Sequence, residues 1–290
     1  MTHLWYILLT LLFYGSILIL VYLCLFPLFC TDLYLVWLIL EIGTVLIVSL
    51  LVHVKATHVM MLKLMTLQSI SAFLVILGLV LSVESFMLLG LIMKIGLAPF
   101  SFWWFRAISS APLLFIFMFS TFFKIPPSLF VPYLGLNFLN ILLVFSRFTI
   151  LLGSLGGVYT THPVILLIWS SIIHSGWIFT VLLLSVNTFM IYLIVYILRS
   201  GVLYSFIYYY LSPSRNTVST QLIKTPSFSF ALCVLLFSSI PPTPTFFLKL
   251  WALKLVFIIS PVLACIRLLI SGIRLIWYLV WCYQSILSCS

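Results

Sequence analysis

The sequence predicts an all-α, polytopic membrane protein of about ten transmembrane helices. Three observations carry that expectation. First, 65% of the 290 residues are hydrophobic and only 6% are charged, whereas a soluble domain carries roughly 25% charged residues. With 13 Lys+Arg and 3 Asp+Glu, the chain cannot dress a water-exposed surface of its own. Second, the mean hydropathy of +1.39 excludes a disordered chain, which needs low hydrophobicity. Third, apolar runs such as LWYILLTLLFYGSILILVYLCLFPLF far outlast the alternating strands of about ten residues that build a membrane β-barrel. The net charge of +10 is spread along the chain rather than clustered. It therefore marks short membrane loops and not a nucleic-acid surface.

A helix needs about 20 apolar residues to cross the hydrocarbon. That ruler gives spans at 4–26, 34–53, 60–82, 85–105, 112–131, 134–152, 163–185, 187–211, 227–258 and 262–287. The first is the long apolar run already quoted. The second carries Glu41 in LVWLILEIGTVLIVSLL, and the third runs from Met60 to Ser82. The fourth holds Lys94 ahead of Pro99, and the fifth holds Lys124 ahead of Pro126 and Pro127. The sixth holds Arg147 and the eighth Arg199, both near span interiors, and the seventh contains His174. The ninth has Lys249 after Pro241, Pro242 and Pro244, and the tenth closes the chain. Links are short, and only SPSRNTVSTQLIKTP at 212–226 reads as a sizeable polar loop. The whole chain is expected to be one transmembrane domain, 1–290.

Loop charge sets orientation. The loops near Lys55, Arg106, Arg215 and Lys224 fall on one side. Those near Asp32, Glu84 and Asn187 fall on the other. The N-terminus belongs to the basic side, cytosol-like or matrix-like. No cleavable signal and no Arg/Ser-rich organellar presequence is expected, because the first apolar run has full membrane length. Cys24, Cys30, Cys233, Cys265, Cys282 and Cys289 make no C-x-x-C pair; inside apolar runs such cysteines act as small hydrophobes.

The polar residues inside these spans are the informative ones. A charge at mid-bilayer costs about 2.5–3.5 kcal/mol on insertion scales. Glu41, Lys94, Lys124 and Lys249 together would cost on the order of 10 kcal/mol by that scale, less whatever snorkelling returns. Each lysine also lies beside proline, which removes a helix hydrogen bond and clashes with the preceding turn. In lipid such breaks are tolerated where protein or a water-filled cavity covers them. Kinking and snorkelling explain one such site; three of them with a buried carboxylate point to an internal polar cavity. A row of such groups joined by water is a proton relay. An anion channel would want rings of basic groups, and metal chemistry would want clustered ligands; neither pattern is present. His174, with Ser170, Ser171 and Ser175 close by, is a further candidate in which the serines hold a water beside the ring, the competing reading being a packed histidine bonded to a helix carbonyl. Arg147 and Arg199 are read as snorkelling.

These landmarks resemble one family. MKIGLAPFSFW at 93–103 resembles the signature M-K-L-G-L-A-P-F-H-F-W of the subunit 2 family of respiratory NADH dehydrogenase (complex I). WSSIIHSGW at 169–177 is similar to that family's Y-S-S-I-x-H-M-G-W, and IPPTPTFFLK at 240–249 to its L-P-P-L-T-G-F-x-P-K. TFFKIP at 121–126 resembles W-Q-K-L-A-P, and WLILE, ending at Glu41, resembles an early W-x-x-L-E-like element.

The resemblance implies an antiporter-like fold with two discontinuous helices, carrying Lys94 and Lys249. It implies a proton-translocating membrane-arm subunit of NADH:ubiquinone oxidoreductase, a core part of that enzyme without a redox site of its own. Glu41 and Lys94 would form a switching pair, Lys124 a connector, and Lys249 the step towards the next subunit or exit. NADH, FMN, iron–sulfur clusters and ubiquinone would sit in partner subunits, with no cofactor or metal on this chain. Partners would be the other membrane-arm subunits of a hetero-oligomer and membrane lipids, not nucleic acid. The place would be the mitochondrial inner membrane, N-terminus on the matrix side. The sequence departs from the family at Ser101 (usually His), at Val164 and Ile165 (often Arg-Lys) and at Thr245 (usually Gly), and is expected to be one span short at its C-terminus. The rival readings are a stand-alone cation/proton antiporter of the same fold and a lipid-embedded filler without transport.

Overall fold

The computed structural model describes residues 2–30, 32–53, 57–158, 160, 162–211, 243–259, 265, 268–273 and 276–280. Everything regular among them is helical. The elements are α1 (Thr2–Leu25), α2 (Leu33–His53), α3 (His58–Val80), α4 (Glu84–Ile95), α5 (Ser101–Ile108), α6 (Leu113–Ser120), α7 (Ile125–Ser128), α8 (Leu136–Val158), α9 (Pro163–Leu184), α10 (Val186–Leu211) and α11 (Pro244–Ile259). Among the described residues, five helices are long and apolar enough to cross a membrane: Leu33–Val52, His58–Val80, Phe138–Val158, Val164–Leu183 and Val186–Ser205. The chain divides into two compact units, Met1–Phe145 and Ser146–Ser290, with the division inside α8.

Two expected spans are interrupted. The run 85–105 ends as a helix at Ile95 and restarts at Ser101. Gly96 causes the stop: it takes the left-handed conformation (φ 76°, ψ 36°), which glycine enters without steric cost. Its N–H donates to the Met93 carbonyl at 3.2 Å, and the Leu97 N–H to the Ile92 carbonyl at 3.0 Å, the Schellman closure of a helix end. Pro99 then keeps Ala98 out of the helical region. A Cβ on Gly96 would lie 2.5 Å from Trp104 Cγ, so the glycine also lets the indole of α5 lie against the end of α4.

The run 112–131 breaks at Thr121 (φ −113°, ψ −77°). The Ser120 and Thr121 hydroxyls both donate to the Phe117 carbonyl, at 2.8 and 2.7 Å. A 3₁₀ turn, Phe122–Lys124, follows. Pro126 and Pro127 then open α7 at its first positions, where the missing N–H costs nothing. At 12 residues α4 is about 18 Å long, too short alone for a hydrocarbon core of about 30 Å. Length counting misses such joints because apolar composition runs straight through them.

Within the first unit, α3 and α4 form a close pair. A Cβ on Gly78 would sit 2.5 Å from Met87 N, and one on Gly90 2.8 Å from Ser71 O. Small residues let backbones approach, as membrane helix contacts require. Trp37 Nε1 donates to Ala72 O at 3.1 Å and ties α2 to α3. Glu84, in the first turn of α4, accepts the Gly135 N–H at 2.7 Å and so anchors the start of α8 as well. In the second unit, α9 is buried nearly all round. It packs on α8 through Gly153, Gly156 and Gly176, whose missing Cβ atoms make room for Ile173, Trp169 and Ile150. Gly157 does the same for Trp277.

The outward faces are apolar. Ile191, Ile194, Leu198 and Val202 of α10 are exposed at helical spacing, as are Leu35, Leu38, Ile42 and Val45 of α2. A soluble helix would be polar there. Inside, hydroxyls turn back on their own helices: Thr149 to Ser146 O at 2.6 Å, Thr180 to Trp177 O at 2.8 Å. That satisfies a buried donor within its own helix.

Candidate functional site

Glu41 and Lys94 are brought together. Lys94 Nζ donates to Glu41 Oε1 at 2.7 Å. The lysine side chain is 2% exposed and the glutamate side chain 27%. Glu41 lies eight residues into α2, and Lys94 lies in the last turn of α4. That turn exists at this depth because Gly96 stops the helix. The uncovered carbonyls of a helix C-terminus favour a cation, so the break and the carboxylate both stabilise the ammonium. Thr44, one turn on from Glu41, donates its hydroxyl to the Glu41 carbonyl at 2.7 Å.

Lys124 is buried. It closes the 3₁₀ turn ahead of α7, and α7 packs against both α2 and α4, the helices of the ion pair. A cavity of about 10 Å³ lies nearby, lined by Thr44, Leu64, Gln68, Phe119 and Phe123 among others; that volume holds about one water. Gln68 is a residue the sequence reading missed. It is buried on α3, and its Oε1 has no hydrogen-bond partner among the described residues. The one trace it leaves in the sequence is a lone amide within a span, in LMTLQSIS.

In the second unit His174 is fully buried on α9. Its Nδ1 pairs with Tyr192 Oη at 2.8 Å, and its ring lies against Tyr196 with centroids 4.6 Å apart. Both tyrosines belong to α10. Ser171 and Ser175 donate to Ile168 O and Ile172 O of their own helix, at 2.8 and 2.6 Å. The tyrosines were missed because their partner lies on another helix, where sequence spacing gives no guidance.

Lys249 is buried on α11, which packs against both α9 and α10. Thr243 caps α11, its carbonyl accepting from Phe246 N at 3.0 Å. Of the departures from the family signature, Ser101 is fully buried at the start of α5, while Val164 and Ile165 are partly exposed in the first turn of α9. Thr245 lies within the first turn of α11, and Pro241 and Pro242 fall outside the described residues. Among the described residues, no three His, Cys, Asp or Glu side chains gather as metal ligands. Cys24, Cys30 and Cys265 are free thiols.

Known proteins resemble this chain. "NADH-ubiquinone oxidoreductase chain 2" of Suncus etruscus is 28% identical over 205 residues, 69% of this chain and 58% of that protein. The protein of the same name from Squalus acanthias is 30% identical over 210 residues, 70% of this chain and 59% of that one. The chain thus spans about three fifths of the length of these curated relatives. Among solved structures, a chain of respiratory complex I from Thermus thermophilus superposes with a TM-score of 0.68 at 18% identity, over 86% of this chain and 64% of that one. A chain of the Mrp complex from Dietzia sp. DQ12-45-1b gives 0.67 at 15% identity, over 86% of this chain and 56% of that one. At such identities these two matches establish the antiporter-like helical fold. The family model described as "NADH:quinone oxidoreductase/Mrp antiporter, TM" matches residues 34–273, and the chain belongs to that family.

Proposed function

We propose that this chain is a proton-translocating subunit in the membrane arm of an NADH:ubiquinone oxidoreductase. The carrying observation is the Lys94–Glu41 ion pair, made at a helix break between apolar helices. An ammonium held in oil chiefly by one carboxylate is a switchable proton donor. Moving Glu41 away, or protonating it, strips Lys94 of its counter-charge and drives its proton to the next acceptor. Lys124, beside α2 and α4, is the acceptor in the first unit. His174 with Tyr192, and Lys249, serve the second. Each proton moved against the membrane potential requires about 2.3 kcal/mol per 100 mV, which redox chemistry in partner subunits supplies through charge shifts that reach Glu41.

The finer architecture belongs to the same reading. We take α4 with α5, and α6 with α7, as single interrupted crossings, which brings the total towards about ten. The two discontinuous helices that the family resemblance implies would carry Lys94 and Lys249, the α6–α7 crossing with Lys124 being interrupted in addition. The chain works as one transmembrane domain, in the mitochondrial inner membrane, with its N-terminus on the matrix side. It holds no NADH, flavin, iron–sulfur or ubiquinone site, and its partners are the other membrane-arm subunits. The names of the curated relatives support this reading. The likeness to an Mrp chain keeps a stand-alone cation/proton antiporter as the second reading.

The test is Lys94→Met in the intact membrane. Proton pumping coupled to NADH oxidation is expected to fall severalfold while the variant still assembles. Unchanged pumping would mean the pair is only structural. The native chain should comigrate with a large multi-subunit assembly; migration alone, with ion-driven proton exchange, would favour the antiporter.

A further inference from the structure

Away from the buried charges, α3 and α5 pack side by side and leave a groove of about 280 Å³ between them. Lys63, Thr66, Leu67, Trp103 and Arg106 line it. Leu67 is buried and forms the apolar floor; the other four are exposed. Lys63 and Thr66 are three apart on α3, and Trp103 and Arg106 three apart on α5, so each pair shares one helix face. Depth fits as well. Lys63 is in the second turn of α3 and Arg106 in the last turn of α5, so both cations sit near helix ends, where headgroups lie. Tryptophan is enriched at that level.

None of the chain's three acidic residues, Asp32, Glu41 and Glu84, lines the groove. Two cations, a hydroxyl and an indole thus face outward over an apolar floor, with no carboxylate from the protein between them. We infer that this groove binds the phosphate of an anionic phospholipid headgroup. Arg106 would hold phosphate oxygens through its planar fork, Lys63 would add a point charge, and Trp103 and Leu67 would take the glycerol and the first acyl carbons. The assignment is independent of the proton path, which uses none of these residues.

The experiment uses the full chain in lipid nanodiscs of phosphatidylcholine, with spin-labelled phosphatidic acid and spin-labelled phosphatidylcholine as probes. Selectivity for phosphatidic acid is expected, and Lys63→Gln and Arg106→Gln should each lower it about fivefold, the worth of one basic residue at a charged lipid surface. Arg106→Lys should retain most of it. Lys254→Gln, which removes an exposed lysine of α11 outside the groove, should leave it unchanged. The inference fails if the groove variants keep the selectivity, if Lys254→Gln lowers it equally, or if millimolar inorganic phosphate displaces the labelled lipid, which would make the groove a free-anion site.

Discussion

At the scale of single residues, the ion pair decides most. Removing one member of a buried pair leaves the other charge without compensation, which costs roughly 3–5 kcal/mol in dry interiors. Glu41 is 27% exposed, so we expect Glu41→Gln to cost less, about 2 kcal/mol. The double change Glu41→Gln with Lys94→Met should be more stable than Glu41→Gln alone, since no ammonium is then left in oil. Reversible unfolding in mixed micelles measures both; a double variant less stable than the single would overturn the account. The candidate charges were legible in the sequence because ionisable groups within apolar runs need a reason to be there. Their pairing was legible only through the family resemblance: nothing in residues 41 and 94 alone says that α2 and α4 meet. Tyr192, Tyr196 and Gln68 escaped because an uncharged polar residue in a span raises no such alarm.

Among elements, the interrupted helices matter most. Gly96 is fixed twice, by its left-handed backbone and by the Trp104 ring. Gly96→Ala is expected to destabilise the protein by about 2 kcal/mol, of which about 1–2 is the left-handed conformation itself. Gly43→Ala, where a Cβ meets nothing within 4 Å, should stay near wild type. Thermal unfolding in detergent compares the two; equal stabilities would remove the structural role given to Gly96. Among the uninterrupted elements, α2, α3, α9 and α10 fall within a residue or two of the apolar runs, while α8 continues to Val158, six residues past the expected end at 152. The breaks were foreshadowed by proline beside lysine, yet their true agents are a glycine in one case and a pair of back-bonded hydroxyls in the other. Hydropathy cannot see either, because both act through backbone geometry. The ninth expected span, 227–258, is described only from 243 onward, and there its helix begins at Pro244.

For the molecule as a whole, composition was sufficient to place it in lipid, since polar surface is missing from the amino-acid supply itself. Spacing could not reveal which ends of which helices lie level with one another. The bond between Glu84 and the Gly135 N–H does so for two of them, because it ties the beginning of α4 to the beginning of α8. Whatever path residues 84–135 take, they must return to the face of the bilayer from which they left. Under the proposed reading of α4 with α5 and of α6 with α7 as single crossings, the excursion obeys a parity rule: it makes two passes, an even number. Single cysteines introduced at the exposed positions Ser82 and Pro132 should accordingly react with an impermeant maleimide from the same compartment. Labelling from opposite compartments would rule this closed circuit out.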